Sequence, residues 1–228
     1  MPQQQSMSDV IVLIPGILGS VLVKDGREVW GASGSSIAGN LMTFGKALRA
    51  LELPYGIGHD DPKDRVTAPR VLPSLYMVPK FWKADGYGRL TARLKERFTL
   101  TQATDERAGN LLEFPYDWRL SNQLNAQRLS EAVTPVLDRW RQTTKNTEAK
   151  LIFICHSMGG LVARYFLEVL GGHELTSKLI TIGTPYQGSV NALETLVNGL
   201  FLGRDTRTNS RAANACPTEF TVNRAAER

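Results

Sequence analysis

The chain predicts an α/β fold, a mostly parallel sheet flanked by helices, and three observations carry that prediction. Leu151-Ile152-Phe153-Ile154-Cys155 has strand character and runs into His156-Ser157-Met158-Gly159-Gly160, and an amphipathic segment over residues 161–170 follows at once. A second apolar run, residues 10–14, stops at Pro15-Gly16. Elsewhere strand-like and helix-like stretches alternate, a pattern most economically laid out as a parallel sheet.

In chain order, residues 1–9 are polar and place no Lys or Arg ahead of the apolar run, so they read as a flexible N-terminus and not as a secretory leader. The run itself is too short for a membrane span, which needs about 20 apolar residues. It reads as a core strand ending in a glycine-punctuated loop, Pro15-Gly16-Ile17-Leu18-Gly19-Ser20. From Lys24 the texture changes. Gly31-Ala32-Ser33-Gly34-Ser35-Ser36 is turn-like, and Pro54, Pro62, Pro69, Pro73 and Pro79 interrupt any long element. Connections in compact domains are commonly about 2–6 residues long, so the long interval before the next strand predicts a cap insertion at about residues 24–85, over the active-site face. Trp30, Phe44, Tyr55, Tyr76, Phe81 and Trp82 suit either a lipid-receiving lining or a small core of the cap's own.

Leu90, Leu94 and Phe98, set among Arg89, Arg93, Lys95 and Arg97, predict an amphipathic helix with a core-facing stripe. Residues 110–114 read as a short strand leading into Pro115-Tyr116-Asp117-Trp118-Arg119. Helical period resumes from Ser121, a cap, to about Thr143, with Leu129, Val133, Leu137 and Trp140 on one face and Pro135 as a kink. Gly171-Gly172 stops the helix after Ser157, and residues 179–182 form a further strand closed by Gly183-Thr184-Pro185-Tyr186-Gln187-Gly188-Ser189. The principal domain thus runs over residues 10–203. Residues 204–228, rich in Arg, Asn, Thr and Ala without a periodic face, read as a disordered tail.

At 228 residues, 42% hydrophobic and 21% charged, the chain can bury a substantial core. Its net charge of +5 would favour anionic surfaces, phospholipid headgroups among them. The basic residues are scattered, however, with no aromatic-interleaved block of the kind that binds nucleic acid, so the charge reads as solvated surface. Cys155 in a buried strand and Cys216 in the polar tail make no disulfide framework, and a reducing, cytoplasmic setting is the expectation. The sequence holds no metal-ligand cluster, phosphate loop or nucleotide fingerprint.

A serine at a strand–turn–helix junction is the nucleophile elbow, usually written G-x-S-x-G. Here it reads C-H-S-M-G, and Cys155 in place of the first glycine is small enough for the turn to close. A serine that only caps the following helix is the competing reading. A nucleophilic Ser157 needs backbone N–H groups for the oxyanion of its tetrahedral intermediate. One comes from the residue after the nucleophile, Met158, and one from the loop after an early strand, at Ile17.

Four stretches in order, Ile14-Pro15-Gly16-Ile17-Leu18-Gly19-Ser20, Phe114-Pro115-Tyr116-Asp117-Trp118-Arg119, Cys155-His156-Ser157-Met158-Gly159-Gly160 and Thr181-Ile182-Gly183-Thr184-Pro185-Tyr186-Gln187-Gly188-Ser189, carry a resemblance. The sequence resembles the lecithin:cholesterol acyltransferase family of α/β-hydrolases, which includes related phospholipases and phospholipid:diacylglycerol acyltransferases. Pro115-Tyr116-Asp117-Trp118-Arg119 is the most specific match, since the elbow alone would suit any lipase or esterase. The resemblance implies acyl-enzyme chemistry on a lipid or acyl ester, with Ser157 as nucleophile, Ile17 and Met158 as oxyanion donors, transient contact with a membrane surface and no cofactor. Asp117 and Arg119 read as a structural ion pair near their strand's end.

One requirement is unmet by the sequence. A serine needs a base to take its proton and the base needs a carboxylate, in this fold in the order Ser, acid, His. After Ser157 come one histidine, His173, and one aspartate, Asp205. A helix would carry the chain roughly 21 Å from Ser157 before Gly171, so His173 sits at the wrong end. His156 adjoins the nucleophile and points elsewhere, His59 lies in the cap, and no histidine follows Asp205. The family's catalytic domain continues with further strands that supply acid and base, so the expectation is an N-terminal portion of a hydrolase with an unprotected sheet edge. Two readings follow: a lipid acyl hydrolase or O-acyltransferase working through Ser157, and a non-catalytic α/β-hydrolase-like module that keeps the elbow without a working triad. Motifs set neither the acyl acceptor nor the oligomeric state.

Overall fold

The computed structural model describes residues 4–31, 51–73, 75–76, 83–84, 86–190 and 192–194. Phe44, Phe81, Trp82, Asp205, Cys216 and the expected tail at 204–228 lie outside the described residues, as does the side chain of Tyr76.

β1 (Gln5–Ser6) precedes β2 (Val10–Ile14), whose five apolar residues are all buried. β3 (Leu22–Lys24) and β4 (Arg27–Trp30) form a hairpin turned by Asp25 at φ 51° and Gly26 at φ 75°, the two left-handed positions that this tight connection requires. β5 (Val66–Thr67) pairs with β3, while β6 (Leu75–Tyr76) pairs with β7 (Lys83–Ala84), so the described part of the interval 24–85 is antiparallel. Then come α1 (Tyr87–Arg97), β8 (Phe98–Thr99), β9 (Leu111–Glu113), α2 (Asn122–Thr144), β10 (Leu151–His156), α3 (Met158–Val169), a 3-10 turn (Gly172–Leu175) and β11 (Thr176–Ile182).

The main sheet has the order β11-β10-β2-β9 with every pair parallel. Alternation along β2 splits the core between its two faces. Val10, Val12 and Ile14 pack with Leu129, Val133 and Leu137 of α2 and Val162, Ala163 and Phe166 of α3. Ile11 and Leu13 pack on the other side, with Leu111 and the partly buried Leu90 and Leu94 of α1. The chain leaves β2 for β9 on one side, then returns across β2 to β10 on the other. The crevice at the carboxyl ends of β2 and β10 is therefore a topological switch point, where open α/β sheets bind ligands.

Sequence expectations differ from the structure at three boundaries. Phe98 continues the four-residue spacing but is not on the helix; its backbone is extended, at φ −124° and ψ 148°, and it pairs with Gln5 in β1. The helix after Ser157 starts at Met158, three residues before its apolar period becomes visible. β11 starts at Thr176 because backbone pairing with Leu151, not burial, sets its beginning. The Ser121 cap is as expected, its hydroxyl accepting the Leu124 N–H at 3.1 Å, and Pro135 lies within α2.

β11 has no strand on its outer side among the described residues, and Ile180 and Ile182 are 45% and 48% exposed. Among the described residues no helix is long and apolar enough to cross a membrane. The chain divides into two compact units, Met1–Gly188 and Ser189–Arg228. All the elements above belong to the first. Of the second, the described residues make a helical turn in which the Leu193 N–H donates to the Ser189 carbonyl at 3.1 Å.

Asp117 and Arg119 form the expected ion pair, each with only 3% of its side chain exposed. Asp64 is the third member of the cluster, its Oδ2 accepting from Arg119 Nη1 at 2.9 Å, which ties the 51–73 stretch to the segment after β9. Removing one member of a buried pair strands the other charge, at a cost of about 3–5 kcal/mol. Arg119→Ala is expected to lose that much stability in urea denaturation. Lys at the same position should recover little of it, because an ammonium cannot copy the guanidinium fork that serves two carboxylates. Full recovery by Arg119→Lys would contradict this account.

Candidate active site

Ser157 stands where two adjacent strands end side by side, since Cys155 at the end of β10 is in register with Ile14 at the end of β2. Its backbone is at φ 50° and ψ −124°. An L residue reaches such a region only at a cost on the order of 1–3 kcal/mol, and it persists only where the surroundings over-determine it. They do so here. The Ser157 N–H donates to the Ile182 carbonyl of β11 at 2.9 Å, and the Ser157 carbonyl accepts the Gly160 N–H at 3.1 Å. Ser157 occupies the N-cap position of α3, yet its hydroxyl makes no capping hydrogen bond. The strained turn thus holds a half-buried serine that does not serve as a cap.

Small residues make the turn fit. A Cβ on Gly159 would collide with the Pro15 carbonyl, one on Gly160 with the Thr184 side chain, and one on Gly16 would come within 2.9 Å of Ser157 Cβ. Cys155 is fully buried at the remaining small position. Burial pushes its thiol up to about 12, so it is a neutral packing group.

The loop after β2 is held from every side. The Gly16 N–H donates to the Tyr87 hydroxyl at 2.8 Å, and the Tyr116 hydroxyl donates to the Pro15 carbonyl at 3.0 Å. The Trp30 indole donates to the Leu18 carbonyl, the Trp118 indole to the Ser20 carbonyl, and the Tyr116 N–H to Ser20 Oγ. The Gly19 N–H bonds the Gly16 carbonyl at 3.0 Å. Because a trans peptide is planar, fixing that carbonyl toward Gly19 turns the Ile17 N–H the opposite way. Among the described residues neither the Ile17 N–H nor the Met158 N–H donates to another protein group. The Met158 N–H is one of the donors that a helix start leaves free, at the positive end of its dipole.

No histidine is hydrogen-bonded to Ser157. His156 Nδ1 lies 2.8 Å from the Tyr87 hydroxyl, and burial pulls the ring's pKa below the ordinary histidine value. His173 is beyond the far end of α3, its Nδ1 3.1 Å from the Leu167 carbonyl. His59 is exposed in the 51–73 stretch, and Asp117 is committed to Arg119. A cleft of about 580 Å³ opens between Asp61, Asp64, Phe114, Tyr116 and Arg128, but Ser157, Ile17 and Met158 do not line it. Sequence reading missed Tyr87, which lies 71 residues from its Gly16 partner and carries no local signature.

Residues 95–212, about half of the chain, match the family model described as lecithin:cholesterol acyltransferase. That stretch contains Asp117, Arg119 and Ser157, while the Gly16 loop precedes it. An uncharacterized protein of Saccharomyces cerevisiae is 26% identical over 179 residues, covering 78% of this chain and 23% of the yeast protein. The chain therefore spans about a quarter of that relative's length.

The His156 environment makes stability depend on pH in a defined direction. A histidine in an unfolded chain titrates near 6.5, and burial lowers that value for His156 in the folded protein. Above about pH 6.5 both states hold the ring neutral and its contribution is complete. As the pH falls through that value, the unfolded chain takes a proton that the folded one refuses, so stability declines until the folded pKa is also passed. The urea midpoint should drop between about pH 7.5 and about pH 5.5, and drop less in His156→Gln. Equal drops in the two proteins would assign the effect to other groups.

Proposed function

The chain belongs to the lecithin:cholesterol acyltransferase family, and from that premise we propose that it carries the nucleophile of a serine lipid acyl hydrolase or O-acyltransferase. The main support is the Ser157 backbone at φ 50° and ψ −124°, a strained turn whose hydroxyl is not used as a cap. In this reading Ser157 Oγ bonds to the ester carbonyl carbon and its proton passes to a base. The carbonyl electron pair moves onto oxygen, where the N–H groups of Ile17 and Met158 receive it. Collapse of that intermediate expels the alcohol and leaves an acyl-serine. Water or a second alcohol then takes the acyl group and frees Ser157. None of the chain's three histidines is hydrogen-bonded to the Ser157 hydroxyl.

The layout proposed with this function is a hydrolase domain at 10–203, a cap at about 24–85 and a tail at 204–228. The substrate class is a lipid or other acyl ester, met through transient contact with a membrane surface. A cytoplasmic setting accords with the free, buried thiol of Cys155.

The second reading, a non-catalytic α/β-hydrolase-like module, is favoured by one observation, the lack of a histidine hydrogen-bonded to Ser157. Intact-mass measurement before and after treatment with a fluorophosphonate separates the two. Wild-type chain should gain a single adduct, through a bond from Ser157 Oγ to phosphorus with loss of fluoride, and Ser157→Ala should gain none. A wild-type protein that takes up no probe would select the non-catalytic module.

A further inference from the structure

We infer that Tyr87 is a positioning residue for the Ser157 chemistry, its hydroxyl acting as the strut that sets the 16–19 loop against the elbow and fixes the His156 ring. This inference rests on the serine reading above. The hydroxyl makes two contacts of 2.8 Å, accepting the Gly16 N–H from one side and meeting His156 Nδ1 on the other. It therefore joins the loop after β2 to the residue immediately before the nucleophile. The direction of the second contact follows the ring's tautomer: the hydroxyl gives its proton to Nδ1 when the ring's own proton is on Nε2, and accepts from Nδ1–H in the other tautomer.

The glycines of the loop show how closely the three parts pack. A Cβ on Gly19 would come within 3.1 Å of the Tyr87 hydroxyl, and one on Gly16 within 3.0 Å of His156 Nδ1. The loop, the elbow and the hydroxyl thus occupy one filled volume. Fixing the Gly16 amide matters because the next peptide plane carries the Ile17 N–H. A donor aimed at a developing oxyanion acts over a few tenths of an ångström, so a loosened loop loses rate more than affinity. The Tyr87 ring has a separate role, packing with Val21 and Leu72 and standing edge-on to His156 at 5.8 Å between centroids. Tyr87→Phe keeps that ring and removes only the strut. Burial raises the phenol's pKa, so it stays a neutral hydroxyl across the working range.

The test uses the full chain with Tyr87→Phe and, as a matched control on the same helix, Thr91→Val. The control removes the hydrogen bond from Thr91 Oγ1 to Glu113 Oε1 and leaves the elbow untouched. Phosphonylation of Ser157 is followed over a range of fluorophosphonate concentrations. In Tyr87→Phe the limiting rate should fall on the order of 10- to 100-fold at an unchanged half-saturating concentration, with Thr91→Val near wild type. Equal limiting rates in wild type and Tyr87→Phe would overturn the inference, as would equal slowing by both substitutions. Amide hydrogen exchange provides an arm independent of reactivity. The Gly16 amide should exchange faster in Tyr87→Phe by about tenfold or more, with β2 amides unchanged, and nitrogen-15 shifts of the His156 ring should report a changed tautomer balance. If wild-type chain takes up no probe, the serine reading fails and the exchange arm decides the strut alone. Unaltered Gly16 exchange would then overturn it, and acceleration would support it.

Discussion

Parallel pairing of β2 with β10, running from Val10 opposite Leu151 to Ile14 opposite Cys155, decides where the rest of the molecule goes. It places two carboxyl ends side by side, so the turn after one strand and the loop after the other must share a small volume. The glycines at 16, 159 and 160 answer that crowding, each where a Cβ would meet the opposite backbone or side chain. Strain at Ser157 is tolerable because the strands around it are deeply buried. The Ser157 turn costs on the order of 1–3 kcal/mol, while burying a single Val, Leu or Ile side chain returns roughly 1.5–3 kcal/mol. All five residues of β2 and four of the six in β10 are buried.

The same pairing explains why the site is made of backbone as much as of side chains. One peptide plane of the 15–20 loop is fixed at both ends, by the Tyr116 hydroxyl on the Pro15 carbonyl and the Tyr87 hydroxyl on the Gly16 N–H. The next is fixed through its carbonyl by Gly19. A loop restrained in this way has little conformational freedom left to lose, and preorganisation of this kind is the condition under which dipoles stabilise charge efficiently.

The central strands were legible because double-sided burial leaves an unbroken apolar run, as in residues 10–14 and 151–155. α2 was legible because Leu129, Val133 and Leu137 recur on one face behind a serine cap. β11 was only half legible: Thr176, Ser177 and Lys178 have the look of a loop, and their strand geometry comes from hydrogen bonds to a neighbour distant in sequence. The hairpin at Asp25-Gly26 carried its turn dipeptide, but the flanking Lys24, Arg27 and Glu28 hid the strands on either side. Among site residues, Ser157 and the Asp117–Arg119 pair follow from local pattern. Asp64, which reaches Arg119 across 55 residues, and Tyr87 do not, because a hydrogen bond made through space leaves no spacing in the chain.

Cys155, two residues before Ser157, has a consequence of its own. The folded protein withholds both things a thiol reagent needs, access to sulfur and a thiolate, since the side chain is fully buried and its pKa is pushed up to about 12. Modification of this cysteine must therefore wait for the β10 region to open. Its rate is an internal clock for the opening of the strand that carries the serine, and it reads the integrity of the site without any substrate.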